Sequence, residues 1–451
     1  MRIVLFGAGS AQFGYGMLGD ICNNPALRDT EIVLVDIRGD ALKQVQETAQ
    51  SYIEKHQLPH RLEATLDAEK ALRGADFVII SIEAGNRFAL WEEDWHIPLQ
   101  YGVKQVYGEN GGAGGVFHAL RIIPPILDIC DKVQRLCPDA FVFCYSNPMT
   151  AIAVTVKRKY PEMNFIGVCH EIASLERYIP DILGTSMDNL HLRAGGLNHF
   201  SVLLEARYRD TGKDAYPDLM EKAREFFSRE PGFSEIWKYV QETGDIPKTE
   251  GATKRALSSV KQVREWSDRR LFKKFMDWFG LLPITSDSHL GEYMPWAFEL
   301  ADQRGIQDFY TFYKHALSRI VPEIGQDVHE RVSYMIEGII TDSGYEEPAV
   351  NIPNDNLIPD LPGFISVEVP AKVTARGFEG IGFPDYPKAF GALLRSNTGT
   401  LDMVAEAVLK KKKEYALQAL LVNPVVTDAS RIEELLEVMI SRQYKWLSYL
   451  K

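Results

Sequence analysis

Short apolar runs, each closed by a glycine turn or a polar residue, alternate with amphipathic helical stretches through the first part of the chain. Arg2–Phe6 (RIVLF) is an apolar strand followed by Gly7-Ala8-Gly9-Ser10 and a helical pattern to about Asn23. Glu31–Ile37 (EIVLVDI) repeats the strand pattern and ends around Asp36. Ala71–Ile82 gives a helix end and a strand, and Ile122–Leu136 is an amphipathic helix. Ala140–Tyr145 is a further strand leading into Ser146-Asn147-Pro148, and Phe165–Ile172 (FIGVCHEI) is a short buried one. Strands alternating with helices predict an α/β fold with a parallel, doubly wound sheet. Between them, Asp94–Gly115 carries five glycines in its last eight residues, which predicts a loop.

The pattern changes after Gly195–Ser201 (GGLNHFS), a strand or turn ending in Asn198-His199. Tyr216–Ser228, Phe233–Thr243, Arg255–Phe279 and Ile306–Arg331 read as helices. Leu282–Trp296 is a polar cluster between apolar flanks, and Glu346–Phe364, rich in Pro, Asn and Asp, predicts a loop-rich crossing. Val367–Pro370 resumes a strand, and the remainder is mainly helix. A chain of 451 residues exceeds the size at which one core stops growing. We therefore expect two domains, residues 1–190 and 191–451.

Strand, glycine turn, helix and a second strand closed by an acid is the form of a dinucleotide-binding unit. Gly7 allows the tight turn, Gly9 lets backbone approach a pyrophosphate, and Ser10 opens the helix whose N-terminus faces the phosphates. Asp36 would accept hydrogen bonds from the adenosine ribose, which favours NAD over NADP. The third glycine of the fingerprint is replaced by Gln12. Ligands of such sheets sit beyond the carboxyl ends of the strands, where Ser81, Asn147 and Cys169 fall. A thiol, two imidazoles and a carboxylate at strand ends (Cys169, His170, Glu171, His199) are residue types that bind a transition metal.

Composition narrows the partners. The formal charge of −12 argues against nucleic acid or an anionic membrane surface, since phosphate binding needs a basic face. There is no apolar run of about 18 residues of the kind that spans a bilayer. The N-terminus shows neither the basic nor the apolar region of a signal peptide. Five scattered cysteines fit a reducing compartment rather than a disulfide framework, so a cytoplasmic location is expected.

With these pieces in order the chain resembles glycoside hydrolase family 4. The likeness rests on the GAGS start, Asp36, GENGGAGG, SNPM, CHEI, GLNHF, SDSHLGEYMP, VEVPA and ALQALLVNP, in that order along nearly the whole chain. It implies a lactate/malate-dehydrogenase-like Rossmann domain with a second mixed α/β domain, and dependence on NAD and a divalent metal, usually manganese. It also implies the chemistry. Hydride leaves sugar carbon 3, the ketone acidifies the proton on carbon 2, elimination expels the glycosidic oxygen, and water addition and hydride return complete hydrolysis.

By the same resemblance Cys169 and His199 ligate the metal, Asn147 and Asn198 hold sugar hydroxyls, and Glu109 and His289 line the substrate cleft with Ser81. Glu171 would protonate the leaving oxygen or orient His170. Asp287 is the expected base at carbon 2, with His289 and Tyr293 as rivals and a helix N-cap as its structural alternative. The Cys-His-Glu triplet resembles the subgroup acting on non-phosphorylated α-glycosides, α-galacturonidases above all, with α-glucosidase, α-galactosidase and α-glucuronidase as alternatives. The chain departs from that subgroup at Ser288, where Arg is frequent, and at Glu109-Asn110, where Asp-Thr is frequent. The partner would be a small glycoside or oligosaccharide, and the assembly a homodimer or homotetramer. A 2-hydroxyacid dehydrogenase on the same fold is the rival activity, though it needs no thiolate ligand and is usually shorter. A sugar- or nucleotide-sensing protein with a relict site is the non-catalytic rival.

Overall fold

The computed structural model describes residues 1–10, 13–169, 171–247, 260, 262–325 and 330–451, the side chains at 173, 174 and 176 excepted. Six parallel strands form its first half: β1 (Arg2–Phe6), β2 (Glu31–Val35), β3 (Arg61–Thr65), β4 (Phe77–Ile80), β5 (Phe141–Cys144) and β6 (Asn164–Gly167). Their order is β3-β2-β1-β4-β5-β6, so the winding direction reverses between β1 and β4. Alternate residues enter two cores. Ile3, Leu5, Ile79 and Phe143 face one side and Val4, Phe6, Ile80 and Val142 the other. Both faces are covered, which is why these strands read as continuous apolar runs rather than as alternating ones.

The sheet continues through β6 into an antiparallel half: β7 (Leu190–Leu197), β8 (Phe200–Tyr208), β9 (Leu282–Pro283), β10 (Glu346–Pro353), β11 (Ser366–Thr374) and β12 (Gly377–Gly380). The order runs β6-β10-β11-β7-β8-β9, with β12 on β11, giving one sheet of twelve strands. Helices Lys388–Lys410, Lys413–Leu421 and Ile432–Arg442 return to the first half and share its second core with helices Gly112–Leu136 and Met149–Lys159. Helix Gly112–Leu136 is long and apolar enough to cross a membrane, but 83% of its apolar window is buried here.

Four expectations are corrected. The glycine-rich stretch 94–115 is helical at both ends, within Arg87–Gln100 and from Gly112 onward. Its glycines serve close packing. A Cβ at Gly114 would lie 2.5 Å from the Gly108 carbonyl and one at Gly115 2.4 Å from the Asn110 carbonyl carbon. The crossing at 346–364 begins with a strand, β10, because a bulge between Glu347 and Val350 absorbs Pro348. Within the described residues, the helix expected over 255–279 starts only at Arg270, and the one expected over 306–331 runs Gln303–Leu317.

Candidate active site

The glycine turn sits where β1 and β4 part. Gly7 has φ +81°, and a Cβ there would stand 1.9 Å from the Ser81 carbonyl oxygen, so only glycine fits. The Gly9 N–H donates to Asp36 Oδ2 at 2.8 Å, and Arg38 N donates to Asp36 Oδ1 at 2.9 Å. Asp36 thus clamps the turn as well as closing β2. The close approach expected of the absent third glycine falls instead at Gly14, whose Cβ would be 2.1 Å from the Ala8 carbonyl oxygen. Residues 11 and 12 lie outside the described residues. Ser146 Oγ donates to the Ile82 carbonyl and accepts from its N–H, which locks the ends of β4 and β5 together.

Gly7, Ser10, Asp36, Ser81 and Asn147 line one cleft of about 1210 Å³. Ile37, 94% exposed, and Leu66 line it beside Asp36 and offer an apolar flank for a base. Gly9 supports the turn from behind without lining the cleft. A turn that admits no Cβ, an acid at the end of β2 and an apolar flank fit a dinucleotide.

Cys169, Glu171, His199, His289 and Glu109 line the same cleft. Cys169 follows the end of β6, and His199 occupies the two-residue turn between β7 and β8 with φ +62°. Cys169 Sγ lies 3.4 Å from His199 Nε2. Glu171 Oε1 is 4.0 Å from the Nε2 atoms of both His199 and His289, whose rings stack with centroids 4.5 Å apart. Among the described residues no three His, Cys, Asp or Glu groups converge as a complete metal cage, and His170 lies outside them. The thiol–imidazole pair still suits a divalent transition metal, because two protein donors leave positions open toward the cleft. Burial, with Glu368 and Glu171 nearby, pushes the Cys169 thiol well above its ordinary range, an effect a bound cation would oppose.

His289 is the most strongly charged point of the cluster. Burial pulls it down, but the hydrogen bond with Glu292 and the charges of Glu171, Glu109 and Glu292 outweigh this and bring it to about 9. Glu109 Oε2 lies 3.9 Å from His289 Nε2, while its Oε1 accepts from Arg87 Nη2 at 2.7 Å.

Three expected roles are corrected or narrowed. Asp287 is wholly buried and does not line the cleft. Its carboxylate accepts from the backbone N–H groups of Leu271 (3.0 Å), Phe272 (2.9 Å) and Asp302 (2.8 Å), capping helix Arg270–Phe279 from a distance. Burial pushes it up to about 7 against those three donors. A base must reach substrate, so Asp287 is structural. Asp287→Ala should orphan three buried N–H groups and cost about 3–5 kcal/mol of stability, read by denaturant unfolding. Wild-type stability with lost turnover would instead return Asp287 to the chemistry.

Asn198 is likewise turned inward, its Nδ2 donating to Glu368 Oε2 at 2.8 Å, so it braces the His199 turn rather than facing a sugar. Tyr293 is buried against Phe200 and donates to the Asn198 carbonyl at 3.2 Å, again beneath the turn.

Sequence reading missed Glu292 and Glu368. Glu292, fully buried, accepts from the N–H groups of Glu109 and Asn110 and so holds the glycine loop against His289. Glu368 gathers Asn198, Ser201 (2.9 Å) and Asn351 (3.3 Å) under the turn. Its signal was visible, a lone carboxylate inside the apolar run of β11.

Comparison with known proteins follows this geometry. A family model described as family 4 glycosyl hydrolase matches residues 2–185, and one for the family's C-terminal domain matches residues 194–426. An alpha-glucosidase of Erwinia rhapontici is 56% identical over 451 residues, covering 100% of this chain and 99% of its own. An alpha-galactosidase of Bacillus subtilis is 27% identical, covering 94% and 93%. A 6-phospho-alpha-glucosidase from gut microorganisms, solved in complex with NAD and Mn2+, superposes with a TM-score of 0.78 at 20% identity, covering 100% and 99%.

Proposed function

The chain belongs to family 4 of the glycosyl hydrolases and is a glycosidase, and from that premise we propose that it hydrolyses a neutral, non-phosphorylated α-glucoside with the help of NAD and a divalent metal, manganese by preference. The observation that carries the cofactor requirement is one cleft that joins the Gly7–Asp36 turn to the Cys169–His199 pair. The 6-phospho-alpha-glucosidase with NAD and Mn2+ shares the fold, which supports the same pairing.

The choice of sugar rests on charge. The cleft is walled by the carboxylates of Glu83, Glu109 and Glu171. Burial pushes Glu83 up, but His118, Arg87 and Arg121 outweigh it and hold it at about 2, so it stays ionised. The lining guanidinium groups are all engaged. Arg38 donates to the Gly9 carbonyl, Arg87 to Glu109 and Tyr313, and Arg121 to Asp94 and Gln443. A uronate or a phosphate would enter a negative cleft with no guanidinium to receive it. The α-galacturonide expected from the Cys-His-Glu triplet therefore gives way to an α-glucoside, in line with the Erwinia rhapontici relative.

When bound, NAD supplies a reversible hydride acceptor and the metal supplies Lewis acidity at the oxygens on sugar carbons 2 and 3. Cys169 and His199 would hold the metal. Glu171, 4.0 Å from both imidazoles, takes the proton from carbon 2. His289, kept cationic by three carboxylates, gives a proton to the leaving oxygen. Asn147, at the end of β5, lines the cleft where the nicotinamide and sugar would meet. This reading assigns residues 1–190 to NAD and 191–451 to sugar, metal and subunit contacts in a homodimer or homotetramer. The free thiol at Cys169 suits a reducing cytoplasm.

The experiment is an assay of aryl α-glucosides with NAD, manganese and thiol. Hydrolysis should need NAD in catalytic amount and leave no stoichiometric NADH, whereas full activity in protein verified free of nicotinamide would overturn the reading. Asp36→Ala should weaken NAD binding by about 1–3 kcal/mol, measured by titration calorimetry, since it removes a charged acceptor and frees the Gly9 turn. An unchanged affinity would remove Asp36 from the cofactor site.

A further inference from the structure

The cleft does not stop at His289. The Tyr107 ring meets His289 edge-on with centroids 5.4 Å apart, Phe309 lies 6.0 Å beyond Tyr107, and Tyr313 stacks on Phe309 at 5.9 Å. Phe309 and Tyr313 are four residues apart on helix Gln303–Leu317, so one helix face presents both rings. The helix is anchored elsewhere. Buried Tyr310 packs edge-on against Trp91 and Trp95, leaving Phe309 and Tyr313 half-buried and lining the cleft. Beside this aromatic wall, Arg87 bridges the Tyr313 hydroxyl (2.9 Å) and Glu109 (2.7 Å). The mechanism above uses none of the wall.

Its chemistry matches a sugar ring, which has an apolar face of C–H bonds and a rim of hydroxyls. Aromatic faces receive the first, and a carboxylate–guanidinium pair the second. Space is sufficient, since about 1210 Å³ exceeds the roughly 300–1,000 Å³ that holds one small ligand. The nucleotide lies elsewhere. Asp36 at the end of β2 is four strand spacings, roughly 19 Å, from Cys169 beyond β6.

We propose that Phe309 and Tyr313 form a second sugar subsite that receives the aglycone ring, so that the preferred substrates are α-glucosyl disaccharides. The proposal rests on the α-glucosidase reading, and the test separates the two. α-Glucosyl fluoride has no aglycone ring and maltose has one, so the ratio of their kcat/KM values reports the subsite alone. Phe309→Leu keeps the packing apolar but removes the ring, and the maltose-to-fluoride ratio should fall about tenfold, the upper range for an aromatic face. Phe309→Tyr keeps the ring, and the ratio should stay within about twofold of wild type. An unchanged ratio in Phe309→Leu overturns the subsite. So does a wild-type enzyme that cleaves the fluoride but no α-glucosyl disaccharide, an outcome that leaves the glucosidase reading standing. A wild-type enzyme that cleaves neither overturns both.

Discussion

Cys169→Ser and His199→Ala should each abolish metal-dependent turnover while leaving NAD affinity nearly intact. The two side chains reach each other from separate elements, the end of β6 and the β7–β8 turn, with Sγ and Nε2 3.4 Å apart. The turn that would cradle NAD belongs to β1, β2 and β4, so the variants leave it untouched. Lewis-acid assistance supplies several kcal/mol, so its loss should lower kcat by at least ~10³-fold. Metal content should fall in parallel with activity. Thiol alkylation should inactivate the wild-type enzyme, and bound metal should slow that inactivation. If either variant keeps most of its activity and metal, that residue is structural.

Glu171→Gln has the second-largest expected effect. The amide keeps the shape of the side chain but cannot accept the carbon-2 proton. Exchange at carbon 2 should fall by ~10²–10⁴, the usual worth of a positioned base. Hydride removal from carbon 3 precedes that step, so the variant should accumulate oxidised sugar and enzyme-bound reduced cofactor, visible by absorbance. Normal exchange in Glu171→Gln would move the base role to His289, which faces the same space.

The nucleotide half was legible because its signals are local. Each strand of the parallel sheet is a buried apolar run, and Gly7, Ser81, Asn147 and Cys169 follow strand ends by simple succession. The antiparallel half was harder because its decisive contacts are distant. Asp287 stands just before its own short helix, which suggests a cap there, yet it caps Arg270–Phe279, fifteen or sixteen positions back. Asn198 looks like a sugar ligand until Glu368, 170 residues away, is brought beneath it. β10 reads as a loop because its prolines and asparagines weaken the local strand signal, and only its partners β6 and β11 make it a strand. The glycines after Gly108 signal a loop by composition, while what they permit is a helix start packed against backbone. The metal pair was legible from residue type alone, but not its connection to Glu292 and the glycine loop through His289.

The central claim is that this glycosidase breaks its bond by oxidation and elimination rather than by direct displacement between two carboxylates. The most direct measurement follows an α-glucoside deuterated at carbon 2 through complete hydrolysis with NAD and manganese present. Elimination requires that hydrogen to leave as a proton, so the glucose released should carry solvent hydrogen at carbon 2. Complete hydrolysis with the carbon-2 deuterium fully retained would contradict the account.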